Sequence, residues 1–259
     1  LATEDVAALS ASQVGALSTA QVQALTDADV TALSTAQVAG MNTSQVNALT
    51  TAQVVAMTTT QVASLSAAQV KSLSTAQVVA LENADVQVLN ADQIKALTTA
   101  QVQALETTDV AGLNTTQLGA LTGTQVAAMT NNQIAAIETR DLQGLSTTQV
   151  AALGIRQVSG LTSAQIANLS TEQVAALETQ DLAALSPSQF GALRSNQIQA
   201  LSTDQIASLK NTQLQNLSNT HVSAMSTAQV AALTTSQLQI FNTAQIAALS
   251  SAQLGGMGT

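Results

Sequence analysis

Large apolar residues return along this chain every eight positions. Counted from Leu1 as position 1, the pattern runs without insertion or deletion through 32 octads and ends on Met257, Gly258 and Thr259. Position 1 is Leu, replaced by Met at 41, 57, 129, 225 and 257, by Ile137 and by Phe241. Position 6 is always apolar: 19 Val, six Ile, six Leu and Phe190. Among the remaining positions, position 2 is Ser, Thr or Asn in 24 octads and position 5 is Gln in 25. Position 5 is otherwise Asp in six octads and His221 once, and position 8 is Ala, Gly or Ser in 28. The consensus reads L-S-T-A-Q-V-A-A.

A period of eight suits no uniform secondary structure. On a continuous α-helix each Leu is displaced by about 80° from the last, so the apolar stripe winds around the whole surface. Coiled coils need repeats of seven or eleven. On a strand, positions 1 and 6 differ in parity and face opposite sides. A short helix restarted in every octad fits. Position 2 and position 5 have the S/T-x-x-E/Q spacing of a capping box, and positions 1 and 6 are then the two ends of a hydrophobic staple. The lone proline, Pro187, falls at position 3, the first helical residue, where proline is best tolerated.

The pattern therefore predicts an all-α solenoid over residues 1–259. One helical segment occupies positions 3 to 8 of each octad, and the chain bends at positions 1 and 2. The core is expected from positions 1 and 6, and the outside from Ser, Thr, Asn and Gln. Small residues at position 8 leave room for a neighbouring segment. The number of octads per coil is left open. Thr and Val favour strands, so a β-solenoid with one octad per rung is the alternative.

Composition narrows the function classes. Only 8% of the chain is charged, against about 25% in ordinary domains. The net charge is −9, from six basic and 15 acidic residues. No clustered Lys or Arg offers a nucleic-acid or polybasic membrane contact. No run of 18 apolar residues exists to span a bilayer. Without Cys there is no disulfide or thiolate site. The chain starts and stops within the repeat with no initiator Met, which fits a segment of a longer protein whose targeting signals lie elsewhere.

Candidate chemistry is sparse. His221, the one histidine, stands where Gln normally caps and reads as a Gln substitute; a metal or haem site needs partners that are missing. Glu occurs at position 2 four times, always with Asp at position 5: Glu82 with Asp85, Glu106 with Asp109, Glu138 with Asp141, Glu178 with Asp181. This is either a weak oxygen-ligand calcium site or a duplicated octad with acids favourably placed at a helix N-terminus; the second reading is preferred. Lys71, Lys95, Arg140, Arg156, Arg194 and Lys210 read as solvated surface, Phe190 and Phe241 as core. A row of Thr at position 3 could match an ordered water lattice, but Ala, Asn, Ser, Asp and Gly interrupt it. No catalytic, cofactor-binding or metal residue is assigned, and no cofactor is expected. An enzyme is not expected either, in the absence of a phosphate loop, nucleophile elbow or triad.

Residues 185–193, LSPSQFGAL, resemble the opening of a TAL-effector repeat, but for one octad only and without the base-reading loop, so DNA binding is not carried over. The full chain resembles the octapeptide tracts, of the type ALSTAQVAALTTAQV, of very large bacterial surface proteins often labelled adhesins or haem-utilisation proteins. That resemblance implies an extracellular filament or adhesin stalk; the haem label finds no ligand set here. The functional expectation is a structural array that self-associates through low-charge, repetitive surfaces. The partner is then a second copy, with no nucleic acid, membrane insertion or small-molecule substrate. The alternative is a binding module for ice, a glycan or a cell surface.

Overall fold

A computed structural model describes residues 2–257; Leu1, which opens the register, and Gly258 and Thr259, which close it, lie outside the described residues. The described chain holds 31 short α-helices and one 3-10 turn, in octad order, and no strand. Apart from the octad containing that turn, every helix begins at position 3 and ends at position 7 or 8, or at Leu238 in one case. The capping box is the cause. In Ser34–Gly40, for example, the Gln37 N–H donates to the Ser34 hydroxyl at 3.3 Å and the Ser34 N–H donates to Gln37 Oε1 at 2.6 Å. Pro187 starts its helix as expected.

The break is two extended residues. Leu33 (φ −62°, ψ 136°) and Ser34 (φ −70°, ψ 158°) turn the chain between one helix and the next. The position 1 N–H still donates to the carbonyl of the preceding position 6, as from Leu33 to Val30 at 3.2 Å. Among the described residues no kink uses a positive φ.

The chain divides into two compact units, Leu1–Met129 and Thr130–Thr259. Within each, a helix packs on the third helix along the chain: Ala11–Gly15 on Thr35–Gly40 in the first, Asn131–Ala136 on Ile155–Gly160 in the second. Side chains of one turn reach backbone 25 to 31 residues away in the neighbouring turn. One coil therefore takes between three and four octads, the quantity the sequence pattern leaves open. Each unit is an all-α solenoid.

Burial follows the octad. Position 6 residues are buried from Val6 to Val230, and position 1 residues from Leu33 to Leu249. The exceptions are directional. Leu9, Leu17 and Leu25, with no preceding turn among the described residues, are half-buried, whereas Leu238 is half-buried and Ile246 and Leu254 are exposed, with no following turn among the described residues. Position 1 thus seals against the preceding turn and position 6 against the following one.

Gln does not belong to the outside, contrary to expectation. Position 5 is buried from Asp29 onward, and Gln37 through Gln253 are among the least accessible residues of the chain. The reason lies in the side chain's second hydrogen-bonding group, described below.

Small residues at the helix ends allow the turns to meet. A Cβ added to Gly160 at position 8 would lie 2.8 Å from Asn131 Cα and 2.9 Å from its carbonyl oxygen. Gly160→Ala is expected to cost about 1–3 kcal/mol through local overpacking, measured by chemical denaturation. The same change at Gly255, whose Cβ would meet nothing within 4 Å, is expected to be neutral.

Candidate functional site: a buried amide ladder

Short helices leave carbonyls without partners. In each octad the position 6 N–H donates to the position 2 carbonyl, and the next position 1 N–H donates to the position 6 carbonyl. The position 1 carbonyl receives no backbone hydrogen, because its residue is extended. Buried and unpaired, such a group costs about 1–3 kcal/mol.

Position 5 supplies the missing donor. Every Gln from Gln37 to Gln125 in the first unit, and from Gln165 to Gln253 in the second, donates Nε2–H to a position 1 carbonyl 28 residues earlier, at 2.6–2.9 Å. Most also reach the position 6 carbonyl 31 residues earlier, as Gln45 to Val14 at 2.8 Å and Gln213 to Leu182 at 2.9 Å. The same side chain uses Oε1 to cap its own helix. One neutral amide therefore fixes a helix start with its acceptor and ties two turns together with its donor.

A sequence signal for the second task exists. A capping box accepts Glu as readily as Gln, yet Glu never occupies position 5. A carboxylate would cap equally well but would face two carbonyl oxygens with no hydrogen to give.

His221 does the work of Gln by other atoms. Its Nδ1 accepts from the Ser218 N–H at 3.3 Å, so the proton sits on the other nitrogen, which is bonded to the Leu193 carbonyl 28 residues earlier. Burial pushes its pKa below the ordinary 6.5, the carbonyl contact opposing. The Gln-substitute reading is thereby supported by geometry.

Asp85 and Asp109 cap but offer no tie. Asp85 Oδ2 accepts from the Glu82 N–H at 3.1 Å and Asp109 Oδ2 from the Glu106 N–H at 2.9 Å. Neither offers a hydrogen to Met57 or Leu81, the position 1 residues 28 earlier. Burial raises both carboxyls above 3.8, the cap amide opposes, and the adjacent Glu adds to the rise. Asp181 is raised by burial and then by Glu178, and its buried Oδ1 has no partner. Glu178 instead accepts from Gln180 Nε2 at 2.9 Å, and Glu138 pairs with Arg140 at 2.7 Å. The Glu82–Asp85 and Glu106–Asp109 octads lie on helices that pack in neighbouring turns, Asn83–Gln87 on Thr107–Ala111, with Asn83 Nδ2 donating to the Thr108 carbonyl. Among the described residues no three His, Cys, Asp or Glu side chains converge as metal ligands do.

The six basic residues are exposed, as read from sequence, and Phe190 and Phe241 are buried. Thr35, Thr51 and Thr75 of the position 3 row are exposed. Among the described residues no helix is long and apolar enough to cross a membrane.

Stacked helical turns joined by a side-chain ladder define a tandem-repeat solenoid. The chain belongs to the ALTTAQ repeat family, which matches it seven times in tandem, at residues 1–35, 27–59, 54–83, 78–113, 102–136, 134–171 and 174–211. No curated protein matches it.

Two substitutions test the ladder. Gln101→Ala strands the Leu73 carbonyl, now bonded at 2.7 Å, takes one of two donors from the Val70 carbonyl, now bonded at 2.9 Å, and removes a cap acceptor; a loss of about 2–4 kcal/mol is expected by denaturation. Asp85→Gln installs the missing donor, and a gain of about 1 kcal/mol at pH 7 is expected. Because the folded state raises the Asp85 pKa, its contribution is full below 3.8 and is lost as pH climbs through the raised value. The advantage of Asp85→Gln over the parent is therefore expected to widen from about pH 4 to pH 7, and a constant difference would contradict the assignment.

Proposed function

We propose that this chain is a structural array that forms or extends an extracellular filament or adhesin stalk, self-associating through repetitive, low-charge surfaces. The observation that carries this reading is the use to which polar chemistry is put. The buried polar side chains at position 5 serve the stacking of turns, and among the described residues no three His, Cys, Asp or Glu side chains converge as metal ligands do. The reading is therefore of a non-enzyme. What remains outside is Ser, Thr, Ala, Asn and Gln with few charges, a surface with little electrostatic repulsion between copies. Its extracellular placement rests on the resemblance to octapeptide tracts of large surface proteins.

The test is electron microscopy of the purified chain, with light scattering over a concentration series. Elongated assemblies that lengthen with concentration are the expected result. Short particles of one mass at every concentration would overturn the self-association.

A further inference from the structure

One buried carboxylate in the second unit has no counterpart in the ladder. Asp181 stands at position 5 and is 1% exposed. Its Oδ1 is buried without a hydrogen-bond partner, and its helix, Thr179–Ala184, has neither a capping box nor a side-chain cap. An unpaired charged oxygen is far costlier to bury than a neutral one. The other Glu–Asp octads escape this cost. Asp85 and Asp109 accept the cap amide, and Asp141 accepts from Arg140 Nε at 3.3 Å. Asp29 Oδ1 is also unpartnered, but its octad holds Thr26 in place of Glu, and the position 1 residue it would face is Leu1, outside the described residues.

What Asp181 faces is more oxygen. In the neighbouring rungs Gln173 bonds the Leu145 carbonyl at 2.7 Å and Gln189 the Leu161 carbonyl at 2.6 Å; the same register turns Asp181 toward the carbonyl of Leu153. Leu153 is 2% exposed, and among the described residues nothing donates to its carbonyl. Helix Ile155–Gly160, which follows Leu153, packs on Thr179–Ala184. Glu178, one turn on from Gly154 at the same octad position, adds a second carboxylate on the exposed side. Gly154 is the one glycine at position 2 of the 32 octads. A Cβ there would meet only Gln157 Oε1, at 3.5 Å, so the approach beside the Leu153 carbonyl is open. No base neutralises the two acids: Arg156, on the packed helix, makes no ion pair, and those found among the described residues belong to Arg140.

Length decides between a proton and a metal ion. Asp is shorter than Gln by one carbon–carbon bond, about 1.5 Å, and a proton does not restore that reach. A metal ion does, because it adds a bond on each side. Carboxylate and carbonyl oxygens with room for water suit calcium, at about 2.3–2.6 Å per bond, whereas magnesium demands a tighter octahedron. We propose that Asp181, Glu178 and the Leu153 carbonyl form a calcium site between two turns of the second unit, where the ion ties the turns as the glutamine amide does elsewhere. Water completes the coordination, so the affinity falls in the range of extracellular modules, about 0.1–1 mM.

The test is calorimetric titration of calcium chloride into the full chain, stripped with chelator and held in about 0.15 M salt to screen diffuse attraction to its net charge. One ion per chain is expected, with the Tm of the parent rising as calcium is added. Asp181→Gln installs the amide; it is expected to melt above the metal-free parent and to bind no calcium. Glu178→Gln is expected to stay folded and to weaken binding about tenfold, through loss of ligand charge. The inference is overturned by a parent that takes up no calcium at about 10 mM, well above the range for such sites. It is equally overturned by an Asp181→Gln chain that binds as the parent does. A parent stabilised by acid and not by calcium would make a proton the occupant, and would overturn it too.

Discussion

The fold depends on giving a hydrogen to one buried carbonyl in eight. A helix of five or six residues satisfies little of its own backbone, and the kink between helices removes the position 1 carbonyl from any backbone donor. Water cannot serve, because the same residue's side chain seals the gap between turns. The glutamine amide from the next turn is the solution. Because it comes from 28 residues away, satisfying the local backbone and stacking the coil become the same event. Helix propensity has little to do with it, since isolated helices this short are unstable in water.

This coupling explains why the octad tolerates so little change at position 5 and so much around it. Positions 3, 4 and 7 face solvent and hold Thr, Ala, Asn, Lys, Glu and even Ile155. Position 2 requires only an acceptor, and Gly154, Arg194 and Lys210 do without even that, each still receiving the glutamine Oε1 on its backbone N–H. Position 5 must both accept and donate, at a set reach. His221 meets both conditions through its two ring nitrogens. Asp85 and Asp109 meet one, accepting the cap amide without offering a hydrogen to the preceding turn.

Helix starts were legible because their causes are local. Ser or Thr with Gln three residues on, apolar residues flanking both, and Pro187 at the first helical position all bear on residues within one octad. The coil was not legible to the same degree, because pitch depends on how far a side chain reaches between octads. The capping box also misdirected the reading of Gln. It accounts for Oε1, leaves Nε2 unassigned, and so placed on the surface a residue that is buried. Only the absence of Glu from position 5, where a cap alone would admit it, carries the missing information. His221 stands in for Gln at the cap, its Nδ1 accepting from the Ser218 N–H, a role that its place at position 5 makes legible.

Directionality is the last consequence of the ladder. Within each unit the tying amides point their hydrogens toward the preceding turn, and the position 1 carbonyls that accept them face the following one. No residue type is reserved for a particular turn, so nothing in the octad counts how many turns have been laid down. Such a lattice sets a direction and a rise but no length. These properties arise from one side chain having both an oxygen and a nitrogen to offer.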